Sequence, residues 1–157
     1  MSNIQEDYIL RMIQMIGDLI TAALHLKTMG KIVEADQTLD NVLHSLMPEH
    51  ADLVEMVDEN TALTLLGDSK LVEAYVDLLL TQAEIKIALE QPSDGIALQT
   101  KAVRLLIGSI QKERYVSPNG QTIWGWLSGL DLHLDKWDKE QWADLDQAIK
   151  KGFIIAP

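Results

Sequence analysis

The sequence predicts an all-α protein: a right-handed stack of antiparallel αα-hairpins, closed by a short Trp-rich helical pair. Three observations predict it. Apolar residues recur at steps of three and four along nearly the whole chain, the period that gathers side chains on one helical face. The breaks in that pattern hold turn formers, at Gly30, Pro48, Gly67-Asp68, Gln91-Pro92-Ser93-Asp94-Gly95 and Ser117-Pro118-Asn119-Gly120. No run with period two is long enough for a convincing strand.

The segment 69–112 is expected at the centre. Leu71, Tyr75, Leu78, Leu79, Ile85 and Leu89 form one stripe, and Val72, Val76, Leu80, Ala83 and Ile87 form a second beside it. A helix apolar over so much of its circumference is packed on two sides. Asp68 or Ser69 can cap its start. Pro92 stops it, Ser93 or Asp94 can cap the next helix, and Leu98, Ala102, Leu105 and Leu106 give that helix its buried face. So short a link folds the two into a hairpin.

The chain reads as a single domain, 1–157, in four parts. Residues 5–46 form a first hairpin. Ile9, Ile13, Ile16, Ile20 and Ala23 line its long helix, Gly30 closes that helix, and Ile32, Ala35, Leu39, Val42, Leu43 and Leu46 continue into a second that ends at Pro48. Residues 49–67 are a connector of two short helices, roughly 50–57 and 61–66. The central hairpin follows. Residues 115–157 hold a turn-rich loop, with a small β-hairpin around Asn119-Gly120 as an alternative. Two helices then follow, one defined by Ile123, Leu127, Leu130 and Leu134 and one by Trp142, Leu145 and Ile149. Asp138 is the expected cap of the last helix and Gly152 its stop. The apolar end from Phe153 to Pro157 is expected to dock on the body.

Two resemblances bear on architecture. In the first hairpin Leu19, Ala22, Ala23, Leu26, Gly30, Ala35, Leu39 and Val42 follow the small and large spacing of a tetratricopeptide repeat, and Ala83, Ala88, Gly95, Ala102 and Leu106 match it more loosely in the second. Small residues there let paired helices approach. The opening Asp7-Tyr8-Ile9-Leu10-Arg11-Met12-Ile13, followed by Leu19-Ile20, resembles that of a family of small, acidic, helical bacterial proteins of unknown function. That resemblance implies tetratricopeptide-like hairpins and a bacterial source, and no chemistry.

Composition narrows function. The 157 residues are 47% apolar with a net charge of −11, too apolar for a disordered chain. Residues 1–68 carry three Lys/Arg against twelve Asp/Glu, and residues 69–157 carry ten against twelve. Such a chain is repelled by phosphate backbones and anionic headgroups, so no nucleic-acid or membrane partner is expected. With no cysteine, disulfides, thiolate metal sites and a Cys nucleophile are excluded. The start lacks a signal-peptide pattern, and the apolar window from Tyr8 to Leu26 is interrupted by Arg11, Gln14, Asp18 and His25. It reads as a poor membrane span, and the cytoplasm is the expected location.

Catalytic and metal signatures are not found. His25, His44, His50 and His133 form no HExxH or Glu-x-x-His motif. His44 and His50 flank Pro48 near Glu49 and Asp52, where a weak metal site competes with the plainer reading of a polar helix end. The acids Glu34, Asp36, Asp40, Glu49, Asp52, Glu55, Asp58 and Glu59 lack the alternation of an EF-hand and read as a solvated face. Ser117, Thr122 and Ser128 lack an adjacent base, and Gly125 and Gly129 make no phosphate loop. No cofactor is expected.

The expected function is therefore a non-enzymatic helical adaptor that holds a peptide or protein partner in a groove between hairpins. Leu19, Ala23, Leu26, Tyr75 and Leu79 would line the groove, and Asp36 and Asp40 would select a basic ligand from its rim. Trp124, Trp126, Trp137 and Trp142 either pack the C-terminal helices or leave a ring exposed as a binding hot spot, with Trp124 and Trp126 the candidates for contact. Two alternatives stand beside it: a homodimer through the first helix, whose Met12, Met15 and Met29 would serve as a soft face, and a small-ligand binder or enzyme with a pocket under residues 115–126.

Overall fold

The computed structural model describes residues 2–40, 42, 45, 58–130, 132–152 and 154. Among them are seven helices and no strand: α1 Ser2–Thr28, α2 Ile32–Asp40, α3 Glu59–Leu66, α4 Ser69–Ala88, α5 Pro92–Glu113, α6 Pro118–Ser128 and α7 Lys136–Lys150. The expected helix at 50–57, the His44/His50 group and the end of the first hairpin beyond Val42 and Ser45 lie outside the described residues, as do Phe153 and 155–157.

Helix α4 is the axis of the molecule. Leu71, Val72, Ala74, Tyr75, Val76, Leu78, Leu79, Leu80, Ala83 and Ile85 are all buried, which is burial around most of its circumference. One side pairs with α5 and the other receives α1 and α2. Asp68 caps its first turn, accepting from the Lys70 backbone N–H at 2.7 Å. The α4–α5 turn is tight, with Glu90 in the left-handed region at φ 60°. Gly95 then sits where a Cβ would meet the Ile87 side chain at 2.7 Å and the Ala83 carbonyl at 3.0 Å, so glycine sets how closely the two helices approach there.

Several local expectations are corrected. Helix α5 starts at Pro92 itself, with no side-chain cap from Ser93 or Asp94. A proline is favoured there because the first helical N–H has no intrahelical partner to lose. The segment after Tyr115 is helix rather than β-hairpin: Ser117 Oγ accepts from the Gly120 N–H at 2.9 Å and Pro118 is the first helical residue. This helix ends at Ser128, so Leu130 and Leu134 lie beyond it. The cap of α7 is Asp135, which accepts from the Asp138 N–H at 2.8 Å.

Asp138 has a different task. Its side chain is fully buried and takes a bidentate hydrogen bond from Arg104 on α5, with contacts between 3.0 and 3.2 Å. Arg104 also reaches Asp135 at 3.2 Å and Glu59 at 3.8 Å, so one guanidinium joins α3, α5 and the start of α7. These carboxylates raise its pKa, the hydrogen bond to Asp138 most of all.

The Trp residues divide in two. Trp124 is buried and stacks on Trp142 with ring centroids 3.5 Å apart and planes 3° from parallel. Its Nε1–H donates to Asp146 at 3.2 Å, so the buried indole is satisfied. Asp146 in turn pairs with Lys150 at 2.8 Å, and its pKa is lowered, chiefly by that lysine. Trp126 and Trp137 are exposed. Ile154 is buried, its N–H donating to the Ala148 carbonyl at 3.2 Å, so the one described residue of the apolar tail does dock.

Candidate binding cleft

The residues expected to line a groove mostly fill the interior. Ala23, Tyr75, Leu79 and Trp124 are buried, and Leu19 and Leu26 are half-buried against the core. Of the two rim acids, Asp36 is bound to Lys86 of α4 at 3.1 Å, so a basic ligand there would have to displace the chain's own lysine. Asp40 and Trp126 are exposed. Small residues such as Ala23 and Ala35, both fully buried, let α1, α2 and α4 pack directly against one another. Met12 is buried while Met15 and Met29 are exposed, so the three do not share one outer face.

An open groove lies instead on the other flank of α1. Ile13, Ile16, Gly17 and Ile20 of α1 face Lys70, Ala74 and Asp77 of α4 and Asn119 of α6 around a cleft of about 110 Å³. Lys70 also borders a second hollow with Glu6, Ile9, Leu10 and Asp68, so two neighbouring hollows flank α1 on this side. Together they flank α1 from Glu6 to Ile20, roughly 20 Å at the helical rise. Within Glu6–Thr28, only 17% of the most apolar 18-residue window is buried. By length and composition alone this window could cross a membrane, yet its outward side carries exposed Asp7, Arg11, Gln14, Asp18 and His25, one polar group per turn.

The cleft floor holds a carboxylate. Asp77 sits one turn after Glu73 on a helix that is otherwise apolar there, so the two side chains share a face. Glu73 is buried and compensated: Ser117 Oγ donates to it at 2.7 Å and Asn119 Nδ2 at 3.3 Å. Because Ser117 gives its proton to Glu73 and accepts the Gly120 N–H, its hydroxyl is fixed as a cap that ties α6 to α4. Asp77 has no hydrogen-bond or ion-pair partner for its carboxylate among the described residues. Burial, and then repulsion from Glu73, push its pKa up from 3.8 to about 6. Lys70 is exposed at the rim and pairs with no carboxylate among the described residues.

Gly17 marks the same place. A Cβ added there would meet nothing within 4 Å, so nothing packed against it calls for glycine. In mid-helix, glycine costs about 1 kcal/mol relative to alanine. Gly17→Ala is therefore expected to raise stability by up to about 1 kcal/mol, a rise in Tm of roughly 2–4 °C for a chain of this size. Differential scanning fluorimetry checks this; a fall in Tm would mean that the flank of α1 is covered.

The hollow expected beneath residues 115–126 is only touched by this cleft, through Asn119. A larger one, about 300 Å³, lies one segment further on, between Leu130, Leu132, Leu134, Lys139 and Trp142. No group of three or more potential metal ligands occurs among the described residues.

Fold and cleft together define an all-helical protein with an acidic groove along its first helix. No family model, no curated protein and no solved structure matches the chain.

Proposed function

We propose that the protein is a helical adaptor of tetratricopeptide-like build, which takes a basic amphipathic segment of a partner protein along the groove between α1 and α4. Asp77 carries this reading. An unpaired carboxylate with its pKa raised to about 6 destabilises a fold at neutral pH, and such groups concentrate where a site needs them. The groove around it is bordered by Glu6 and Asp68 against the one lysine Lys70, a net negative border complementary in charge to a basic ligand. Its apolar wall of Ile9, Leu10, Ile13 and Ile20 suits the apolar face of a short helix. Its length matches about four helical turns.

The test is selection of displayed peptides of 12–16 residues against the folded protein. Selected peptides are expected to be rich in Lys or Arg and to lose at least tenfold in affinity on Asp77→Asn. Basic peptides that bind the Asp77→Asn variant equally well would remove the reading. Self-association through α1 is the competing view, favoured by the exposed Tyr8, Met15 and Met29. Static light scattering separates the two, since a monomer at high concentration that still binds peptide supports the adaptor.

A further inference from the structure

We infer that the cleft between α1, α4 and α6 is a socket for a single lysine side chain, and that it discriminates against arginine. The inference rests on the adaptor reading and names the group that enters. Ile13, Ile16, Ile20 and Ala74 wall the cleft with hydrocarbon, Gly17 leaves its outer edge open, and its volume is about 110 Å³. That is well below the ~300 Å³ at which pockets for drug-sized molecules begin, and it suits a four-carbon stem with a compact head.

The polar inventory selects the head. Asp77 offers two carboxylate oxygens with no partner among the described residues. Asn119 also lines the cleft; its Nδ2 donates to Glu73, and its Oδ1 accepts no hydrogen bond among the described residues. Glu73 Oε1 is already taken by Ser117 and Asn119. Three acceptors match the three donors of an ammonium. A guanidinium brings five donors in a rigid plane, and those left facing Ile13, Ile16 and Ile20 would be desolvated without partners.

Among the described residues, the charged groups facing Asp77 are few. Helix α4 contributes Glu73, one turn away, and Lys70 at the rim; α6 contributes the neutral Asn119; α1 contributes Ile13, Ile16, Gly17 and Ile20, none of which titrates. A cation seated in the cleft therefore favours the ionised form of Asp77, and binding strengthens as pH rises through about 6.

The experiment follows the side-chain carboxyl ¹³C signal of Asp77 through a pH titration of the intact protein, with n-butylammonium, n-butylguanidinium or 1,4-diaminobutane added. Saturating n-butylammonium is expected to lower the Asp77 midpoint by at least one pH unit, and n-butylguanidinium at equal concentration by less than a third of that. Equal shifts from the two cations, or no shift from either, would overturn the socket. So would 1,4-diaminobutane binding a hundredfold more tightly than n-butylammonium, since the cleft would then be a site for a free diamine. In a selected peptide, Lys→Arg at the inserted position is expected to cost at least tenfold in affinity. If arginine is tolerated while norleucine is not, the socket fails and the adaptor stands. If norleucine is tolerated too, the adaptor reading fails with it.

Discussion

Arg104→Ala is expected to destabilise the fold by about 3–5 kcal/mol, and Asp138→Ala by clearly less, about 1–2 kcal/mol. The asymmetry follows from which partner each change strands. Asp138 is fully buried while a third of the Arg104 side chain reaches solvent. Removing Arg104 leaves a carboxylate sealed between α5 and α7 with its bidentate donor gone. Removing Asp138 leaves a guanidinium that still touches Asp135 and Glu59 and can turn towards water. Arg104→Lys is expected to fall between the two, because an ammonium cannot reproduce the planar double contact. Urea denaturation at pH 7 with a constant m-value measures all three. Equal losses from the two alanine variants, or a loss below about 1 kcal/mol for Arg104→Ala, would mean that this contact does not lock α7 to the body.

The same contact shows where sequence reading stops. Period and turn chemistry suffice to place α4 at the centre, because stripes such as Leu71/Tyr75/Leu78 and Val72/Val76/Leu80 leave almost no polar face. Gly30 marks where α1 closes, with φ 79°, because chain direction and local strain decide such positions. Caps are harder. Asp135 and Asp138 both precede Trp142, Leu145 and Ile149 of α7, and either can be the cap until the first helical turn is seen. Arg104 carries a signal of its own: a lone guanidinium inside Ala102-Val103-Arg104-Leu105-Leu106 needs a carboxylate from another element. Which carboxylate depends on how α7 docks, and no local pattern encodes that. The cleft is hidden for a related reason. The dense run of acids from Glu34 to Glu59 is the conspicuous feature, yet a dense acidic run is the ordinary surface of a charged protein. Glu73 and Asp77 stand among buried residues, one turn apart on the central helix, which is buried around most of its circumference. Isolated acids in an apolar stripe are the rarer feature. Their separate fates, one compensated by Ser117 and Asn119 and one left open, depend on where α6 and α1 cross α4.

Asp77→Asn is expected to stabilise the protein at neutral pH and to leave it almost unchanged in acid. The sign follows from linkage. The unfolded chain ionises this carboxyl near 3.8 and the folded chain near 6, so the folded state holds the proton more tightly. Below 3.8 both states are protonated and the residue carries no penalty. As pH rises from 3.8 through 6 the folded state must accept a charge that burial and Glu73 disfavour, and above 6 the full penalty is present. Two pKa units correspond to about 3 kcal/mol. Because the carboxylate borders an open cleft, solvent screening reduces this to about 1–2 kcal/mol, or roughly 3–6 °C in Tm. Asp58, Asp135 and Asp146 act in the opposite direction: their lowered pKa values, set by backbone or side-chain hydrogen bonds, add stability that is lost on acidification. The wild type is therefore a sum of opposed effects, and the difference between it and the Asp77→Asn variant isolates one of them. Thermal melts of both at pH 4, 5, 6 and 7.5 should give curves that meet near pH 4 and separate above it. Parallel curves would place the Asp77 carboxyl in ordinary solvent, and would take with them both the penalty and its meaning. A gap that closes when a lysine peptide is added, because the cation stabilises only the carboxylate form, would join the stability of this helix to its ligand in one measurement.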